Sequence, residues 1–513
     1  MSLDVIKLWV EGICCYYAPI HFPLKVLYPN SENIEASTLS TPINNGKAAL
    51  AFSSLNIHQD LLKNLSSLGY QEMTPIQAMS LPEILVGKDV IAQGKTGSGK
   101  TAAFGLALLE KLEVKRFRIQ SMVLCPTREL ADQVAKEIRK LARAVHNVKV
   151  LTLCGGTPFG PQIGSLEHGA HIIVGTPGRI EEHVIKGTLK LDDLNLLILD
   201  EADRMLEMGF EAALDNIIER TPLDRQTLLF SATFPKQIQT ISESIMTDPV
   251  IVKVSASEDQ SNISQRFFHV DDDSQRFSAL RLLLLDNPVE STAIFCNTKK
   301  ETQAVCNALH DDGFSVLALH GDLEQKDRDQ TLLRFANKSV AVLVATDVAA
   351  RGLDIDALDL VFNYHIAHDS EIHIHRIGRT GRAGAEGLAI SLYSDKETYK
   401  VGLIEDEFDQ TITPELLPST DVLKNARHQA KMATIQIDGG KKQKVRPGDI
   451  LGALTAKASN AGAEISGKDI GKINVLDIKA YVAVDKKVLK LALRKLTDGK
   501  MKGRSFKVRH LTV

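Results

Sequence analysis

The stretch DVIAQGKTGSGKTAAF, residues 89–104, decides the fold of the first part of this chain. A short apolar run leads into a glycine-rich loop, and a helix-forming run follows the loop. Within it, Gly94, Gly99, Lys100 and Thr101 have the spacing Gly-x4-Gly-Lys-Thr. Such a loop exposes backbone N–H groups at the positive end of a helix, where they can hold phosphate oxygens. The stretch therefore predicts a strand–loop–helix unit of an α/β domain that binds phosphate groups.

The side chains of this loop, and of a second motif downstream, suit a magnesium-bound triphosphate. Lys100 can neutralise the β- and γ-phosphates, and Thr101 can offer its hydroxyl to Mg²⁺. The run LLILDE, residues 196–201, is an apolar strand that ends in two carboxylates. Asp200 is placed to bind the hydrated Mg²⁺, and Glu201 to orient or deprotonate an attacking water. Together the two motifs predict hydrolysis of a nucleoside triphosphate with Mg²⁺.

Strands and helices alternate along most of the chain. In the first half, strand-like runs recur at residues 121–125, 149–153, 171–174, 195–199 and 226–230. After a polar stretch at 255–262, a second series follows at 292–296, 315–319, 340–345, 358–362 and 388–392. This alternation indicates two parallel, doubly wound sheets. We expect the first domain at 51–258, the second at 263–410 and a linker at 411–433.

The last 80 residues differ from the rest in charge and in pattern. Residues 434–513 hold 18 Lys and Arg and 7 Asp and Glu, a net charge of +11, so the preceding residues carry −14. Their strand and helix signals follow the order β-α-β-β-α-β, which is typical of a small RRM-like sandwich. Clustered Lys and Arg suit a phosphate backbone, because their binding releases counterions. A solvated basic surface without a partner is the alternative.

The composition fits a protein with several packed domains. The chain has 513 residues, of which 44% are apolar, and this length predicts about three or four domains. Its six cysteines form no CxxC pair, so we expect a reducing, cytoplasmic location. We also expect a monomer. Residues 1–50 lack the later pattern, and we expect a disordered leader or an extension outside the folded protein.

Residues 51–410 resemble the DEAD-box ATP-dependent RNA helicases. Residues 200–203 spell DEAD, and GY at 69–70 with TPIQ at 74–77 resembles the family's Q motif. The resemblance implies two RecA-like domains, the first built around the phosphate loop. It implies that Gln77 bonds the adenine edge and that Tyr70 stacks on it, although Tyr70 also suits a structural position. The ATP-binding residues expected from the resemblance and the loop are Tyr70, Gln77, Gly94, Thr96, Gly97, Ser98, Gly99, Lys100, Thr101 and Asp354.

The same resemblance implies RNA-facing loops and arginine fingers. PTREL at 126–130, GG at 155–156 and TPGR at 176–179 match the family's RNA loops in the first domain, and ATD at 345–347 resembles motif V. HRIGRTGR at 375–382 resembles motif VI, in which Arg379 and Arg382 would meet the γ-phosphate. The expected RNA-binding residues of the two domains are Pro126, Thr127, Arg128, Gly155, Gly156, Thr176, Arg179 and Thr346. The expected coupling residues are Asp203, Ser231, Thr233 and His375.

The basic tail resembles the C-terminal domain of the bacterial DbpA subfamily. Its stretch IDGGKKQKVRPGD, residues 437–449, and the RRM-like layout carry this resemblance. The resemblance implies a hairpin of 23S rRNA near the peptidyl-transferase centre as partner, and a function in large-subunit assembly. Because Tyr481 and Phe506 are the available aromatic residues on the tail's strands, we expect binding through charge. The expected contacts are Lys441, Lys442, Lys444 and Arg446.

Three other functions stay open from the sequence. A general RNA helicase, for example in mRNA decay, would share the two-domain core. A DNA helicase would also share it, but the Q motif, DEAD and the SAT sequence at 231–233 argue against this. A non-catalytic RNA clamp is a third possibility, and it is disfavoured because each expected catalytic position is intact.

Overall fold

The computed structural model describes residues 50–94, 97–234, 236–254, 262–350, 358–381, 386–456 and 464–512. The expected leader lies almost wholly outside the described residues. Three expected site residues, Thr96, Asp354 and Arg382, also lie outside them. Within the described part of the chain, no helix has both the length and the apolar character needed to cross a membrane.

The first domain is a seven-stranded parallel sheet with helices packed on it. The strand order is β3-β4-β2-β5-β6-β1-β7. Its strands are β1 (Val90–Gln93), β2 (Ser121–Leu124), β3 (Val150–Leu153), β4 (Ile172–Gly175), β5 (Leu196–Asp200), β6 (Gln226–Ser231) and β7 (Val250–Lys253). Its helices are α1 (Gln59–Ser67), α2 (Pro75–Leu85), α3 (Lys100–Glu110), α4 (Arg128–Leu141), α5 (Phe159–Glu167), α6 (Pro177–Ile185), α7 (Ala202–Glu207), α8 (Glu211–Ile218) and α9 (Lys236–Ile245).

Burial explains why these strands read as continuous apolar runs. Every residue of β2, β4, β5 and β6 is buried, as expected for a parallel sheet that is covered on both faces. The phosphate loop follows β1, the PTREL loop follows β2, and the DEAD sequence begins at the end of β5. Because parallel strands end at one edge, the motifs collect at the carboxyl edge of this sheet, where α/β proteins bind ligands.

The second domain is a six-stranded parallel sheet of order β10-β11-β9-β12-β13-β8. Its strands are β8 (Ile263–His269), β9 (Thr292–Cys296), β10 (Val316–Leu319), β11 (Val342–Thr346), β12 (Leu360–Asn363) and β13 (Gly387–Tyr393). Its helices are α10 (Asp273–Asp286), α11 (Lys299–Asp311), α12 (Gln325–Ala336), α13 (Asp347–Ala350), α14 (Ser370–Ile377) and α15 (Thr398–Phe408). The edge strands β7 and β8 were not among the predicted strands, because they flank the polar stretch that suggested a linker.

The C-terminal domain is a four-stranded antiparallel sheet of order β15-β16-β14-β17 with two helices. Its elements are β14 (Met432–Ile437), α16 (Pro447–Thr455), β15 (Ile470–Val475), β16 (Ala480–Asp485), α17 (Leu489–Asp498) and β17 (Val508–His510). This is the predicted β-α-β-β-α-β order. The predicted fold class, two RecA-like parallel-sheet domains followed by a small RRM-like domain, is thereby confirmed.

Candidate nucleotide and RNA sites

The phosphate loop adopts a tight turn at the start of α3. Gly97 and Gly99 have φ angles of 88° and 94°, a region that glycine occupies without strain. The Lys100 ammonium donates to the carbonyl oxygen of Gly94 at 2.6 Å, which folds its side chain back over the loop. Thr101 follows in the first turn of the helix. The loop therefore presents a cation and a hydroxyl on the short helical turn expected for phosphate binding.

Gln77 ties the Q-motif helix to the phosphate loop. Its amide oxygen accepts from the backbone N–H of Thr74 at 2.9 Å, and its amide nitrogen donates to the carbonyl oxygen of Gly99 at 2.9 Å. The side chain is 2% exposed. Gln77 therefore hydrogen-bonds directly to the phosphate loop. Its contact with adenine stays a prediction.

Tyr70 packs between the start of the domain and α4. Its ring meets the buried Phe52 edge-on at 6.2 Å, and its hydroxyl donates to Glu137 at 2.8 Å. Burial and this hydrogen bond raise the pKa of the Tyr70 phenol. These contacts suit the structural position that the sequence left open, and they leave stacking on adenine as a prediction.

The carboxylates at the end of β5 lie in a low-dielectric pocket. Asp200 is 3% exposed, and burial raises its pKa to about 7, with the nearby Lys100 ammonium opposing the shift. Glu201, also buried, has φ 53° and ψ 53°. A non-glycine residue in this left-handed region is strained, and such strain is typical of functional turns.

The buried carboxylate suits a hydrated magnesium ion. Among the described residues, Oδ1 of Asp200 has no hydrogen-bond partner. A buried oxygen of this kind is costly unless a cation or a donor satisfies it. Carboxylate and hydroxyl oxygens are the ligands that Mg²⁺ prefers, so Asp200 and Thr101 fit the ion that the sequence predicts.

Asp203 connects the DEAD sequence to the end of β6. Its Oδ2 accepts from both the backbone N–H and the hydroxyl of Thr233, each at 3.0 Å. Its own backbone N–H donates to the hydroxyl of Ser231 at 3.4 Å. Three of the four predicted coupling residues are thus joined directly, next to Glu201.

The second domain meets the first beside Glu201. His375 of α14 hydrogen-bonds the guanidinium of Arg204 in α7. A small cavity of about 30 Å³ lies there, and Glu201, Asp203, His375 and Arg379 are among its lining residues. The structure therefore brings one predicted arginine finger to the same cleft as the predicted base.

A larger cleft gathers the predicted RNA loops. Its volume is about 760 Å³, and it runs between the carboxyl edges of the two sheets. Among its lining residues are seven of the predicted RNA-binding residues: Pro126, Thr127, Arg128, Gly155, Gly156, Thr176 and Arg179. Thr346 is buried at the end of β11, and Val348, two residues further on, lines the cleft.

Helix α12 supplies cleft residues that the sequence reasoning missed. Gln325 accepts a hydrogen bond from Arg128 at 2.8 Å, and Arg328 pairs with Glu129 at 2.9 Å. Both contacts join the second domain to the start of α4. The signal in the sequence was a Gln and an Arg three residues apart, which lie on one face of a helix. The RNA-binding residues expected from the sequence include neither of them.

The outer face of the C-terminal sheet packs against the second domain. Thr434 and Gln436 of β14 are 0% exposed, and Thr434 hydrogen-bonds Ser339 at 2.7 Å. Tyr481 of β16 lies opposite Gln436, is 4% exposed and hydrogen-bonds Gln330 of α12. This aromatic ring, one of two that the sequence offered for base stacking, is covered.

The basic turn after β14 stays exposed. Lys441, Lys442, Lys444 and Arg446 all have exposed side chains. The backbone N–H groups of the first two donate to the carbonyls of Leu476 and Asp477 at 2.8 Å, which fastens the turn to the β15–β16 hairpin. The second aromatic residue, Phe506, packs where a Cβ at Gly439 would stand. The domain therefore offers fixed positive charge rather than open aromatic rings.

Three family models match successive parts of the chain. The DEAD/DEAH box helicase model matches residues 74–241, and the helicase conserved C-terminal domain matches residues 275–384. The DbpA RNA binding domain matches residues 434–510.

Relatives and solved structures agree with these matches. The chain is 53% identical to the ATP-dependent RNA helicase DbpA of Escherichia coli (strain K12), over 90% of this chain and 99% of the relative. It resembles Dbp5 of S. cerevisiae bound to RNA and ADP BeF3, with a TM-score of 0.65 and 30% identity, over 71% of this chain and 95% of that one. It also resembles Mss116p bound to ssRNA and AMP-PNP, with a TM-score of 0.66 and 27% identity, over 74% of this chain and 82% of that one.

Proposed function

The chain belongs to the DEAD-box ATP-dependent RNA helicases, and on this basis we propose that it remodels 23S ribosomal RNA. As a member of the family it is an ATPase and helicase that acts on RNA. The proposal adds the target, a hairpin near the peptidyl-transferase centre, and the task, local unwinding during assembly of the large subunit. It also places this work in the cytoplasm.

The state of the C-terminal domain supports this proposal. The domain has a net charge of +11, whereas the residues before it carry a net charge of −14. The sheet face on which an RRM stacks bases is covered by the second domain, whereas the basic side chains of the turn from Lys441 to Arg446 are exposed. Charged side chains on a rigid turn recognise the shape and phosphates of a folded RNA better than they read single bases. A structured hairpin is therefore the substrate that this surface fits best.

For ATP hydrolysis we propose the following roles. Lys100 neutralises phosphate charge, and Glu201 orients or deprotonates the attacking water. Arg379 stabilises charge on the transferred group, together with Arg382, which lies outside the described residues. A bound Mg²⁺, held through water by Asp200 and by Thr101, would neutralise the developing phosphate charge. The hydrogen bonds that join Asp203 to Thr233 and Ser231 couple conformational changes in the nucleotide pocket to the RNA cleft.

The proposed cycle uses the two clefts in sequence. The C-terminal domain anchors the protein on structured rRNA, and ATP and RNA together favour closure of the two parallel-sheet domains. Closure bends one strand held by the first-domain loops, so that a short duplex nearby opens. Hydrolysis then loosens the contact between the domains, and the RNA is released.

The central experiment compares ATPase stimulation by RNAs with and without the rRNA hairpin. The test variant replaces Lys441, Lys442, Lys444 and Arg446 by Ala. The control variant removes the same charge from exposed positions at and after the end of β16: Lys486, Lys487, Lys490 and Arg494. We expect the test variant to lose its preference for hairpin RNA and to keep stimulation by unspecific RNA. The control should keep both.

Three outcomes would redirect the proposal. If hairpin preference survives in a protein that lacks residues 434–513, the C-terminal domain does not select the RNA. If the full chain shows no hairpin preference, a general RNA helicase is the better description. If DNA stimulates ATP hydrolysis as well as RNA does, the RNA assignment of the cleft is wrong. The Glu201→Gln variant should bind ATP and RNA but turn over poorly, and near-normal turnover would refute the role of Glu201.

A further inference from the structure

One buried side chain outside the motifs joins two of the predicted RNA loops. Gln162 of α5 is 9% exposed, and its amide has four partners. The amide nitrogen donates to the carbonyl oxygen of Cys154 at 3.0 Å and to the hydroxyl of Thr157 at 2.6 Å. The amide oxygen accepts from Arg179 and from Nε2 of His183, each at 2.9 Å. These contacts use the full hydrogen-bonding capacity of a side-chain amide.

The chemistry of the partners fixes the direction of each bond. A guanidinium can only donate, and a backbone carbonyl can only accept, so the amide of Gln162 has one possible orientation. Burial lowers the pKa of His183 to about 4, and its neutral ring then carries the proton on Nε2. Its Nδ1 lies 2.8 Å from the hydroxyl of Thr188, and Phe159 stacks on the ring at 4.1 Å. Gln162 is therefore held by Cys154 and Thr157 on one side and by Arg179 and His183 on the other, and these five residues form a hydrogen-bonded hub.

The hub binds both ends of a short loop. Residues 154–157 contain Gly155 and Gly156, and Gly156 has a φ of 72°. Nη1 of Arg179 also donates to the carbonyl oxygens of Cys154 and Thr157, at 3.1 and 2.9 Å. The loop is thus bound twice, by Arg179 near the start of α6 and by Gln162 of α5. The two glycines have no Cβ atoms to restrict their backbone, so the loop needs contacts with other residues to keep a single conformation.

The loop in turn borders a predicted RNA contact. The side chain of Arg128 lies against Gly156 so closely that a Cβ there would collide with its guanidinium. Both residues line the large cleft. Any shift of the loop would therefore move the surface that Arg128 packs on.

We propose that Gln162 is a positioning residue for RNA binding, which holds the 154–157 loop and Arg179 in the geometry that meets the RNA backbone. This inference rests on the proposed RNA contacts of Gly155, Gly156 and Arg128. Gln162 does not reach the nucleotide pocket through any of its hydrogen bonds. Its loss should therefore change RNA affinity and leave the chemical step intact.

The test replaces Gln162 by Met, which keeps the length of the side chain and removes its hydrogen bonds. We expect the RNA concentration for half-maximal ATPase stimulation to rise about tenfold, the effect of losing about two ordinary hydrogen bonds. The rate at saturating RNA and the half-saturating ATP concentration should stay within about twofold. Gln237→Met, at an exposed position in α9, is the matched control and should change none of these values.

A second variant keeps the proposal testable if Gln162→Met fails to fold. Thr157→Val alters an exposed side chain and removes one of the two acceptors of the Gln162 amide. It should raise the half-saturating RNA concentration about threefold, by the loss of about one hydrogen bond. If the folded Gln162 and Thr157 variants keep the half-saturating RNA concentration of the unaltered protein while Arg128→Ala raises it clearly, the proposed role of Gln162 is wrong. The assignment of RNA to the cleft would then still stand.

Two further outcomes separate this inference from the proposal beneath it. If Arg128→Ala also leaves RNA binding unchanged, the assignment of RNA to this cleft is wrong. If Gln162→Met lowers RNA affinity, ATP affinity and the maximal rate together, the residue supports the whole domain and does not position the loop. The tenfold change restricted to RNA is the result that supports the inference.

Discussion

Arg328→Gln should weaken the contact between the two parallel-sheet domains without touching the phosphate loop. Arg328 of α12 reaches Oε1 of Glu129 with Nη2 at 2.9 Å and with Nε at 3.3 Å. The two side chains are 15% and 11% exposed. Since solvent screens such a pair only weakly, it should be worth more than a surface ion pair.

The expected size follows from these contacts. Hydrogen bonds to charged groups contribute about 1.5–3 kcal/mol, which is about 10- to 150-fold in the closure equilibrium. Two nearby carboxylates favour the upper half of this range. Burial raises the pKa values of Asp132 and Asp329; repulsion from Asp329 adds to the first shift, and repulsion from Glu129 adds to the second. Arg328 offsets part of that repulsion, so its removal adds to the cost of closure.

The assay measures closure and its consequence together. One fluorophore in each parallel-sheet domain reports the closed fraction by energy transfer, in the presence of RNA and a non-hydrolysable ATP analogue. RNA-stimulated ATPase reports the half-saturating RNA concentration. We expect Arg328→Gln to lower the closed fraction and to raise the RNA requirement at least tenfold. Lys326→Gln, which removes the same charge from an exposed neighbour on α12, is the control.

A double-mutant cycle identifies the cause of the change. Glu129→Gln alone should have a similar effect, and the double variant should cost much less than the sum of the single variants. If Arg328→Gln leaves the closed fraction and the RNA requirement within about twofold of the control, the pair does not stabilise closure. Full additivity in the cycle would show that the two residues act separately.

Three further predictions follow from buried groups and tight turns. Because the pKa of His183 falls from about 6.5 in the unfolded chain to about 4 in the fold, the unfolded state binds the extra proton. First-domain stability should therefore drop between pH 6.5 and 4, by up to about 3 kcal/mol; urea titrations should show a flatter pH profile in His183→Gln. A Cβ at Gly440 would collide with the backbone of Leu476 and Asp477, so Gly440→Ala should displace the basic turn and reduce hairpin preference in the RNA panel, whereas Gly448→Ala, with open space around it, should not. Burial raises the pKa of four thiols, to about 12 for Cys154 and about 11 for Cys306; peptide mass spectrometry after iodoacetamide should find Cys125, Cys154, Cys296 and Cys306 unmodified until urea is added.

Local sequence determined the fold class and the content of the nucleotide pocket. Each motif lies at the end of a parallel strand. The phosphate loop follows β1, the acidic pair of LLILDE ends β5, and the SAT sequence begins at the last residue of β6. Their chemistry is local, because a glycine turn, an apolar run and a terminal carboxylate each have short-range signals. Parallel strands then bring these motifs to one edge of the sheet without further information. The proposed domain boundaries stay predictions, since residues 255–261 lie outside the described part of the chain.

Tertiary packing decided which side chains are available to a ligand. Tyr481 stands on the sheet face on which an RRM stacks bases, yet α12 covers it. Arg179 belongs to an RNA motif, yet its Nη1 atom holds the neighbouring loop. Gln325 and Arg328 belong to no first-domain motif, yet they border the first domain's RNA loops.

The physical reason for this division is the separation along the chain over which each kind of interaction acts. Helix and strand periodicity and turn chemistry depend on neighbours within a few residues, so the sequence by itself determined three α/β domains and an ATP-binding loop. Contacts such as Arg328 with Glu129 join residues 199 positions apart, and no periodic pattern encodes them. Only the packed structure decided that the second domain would cover one face of the C-terminal sheet and that α12 would line the RNA cleft.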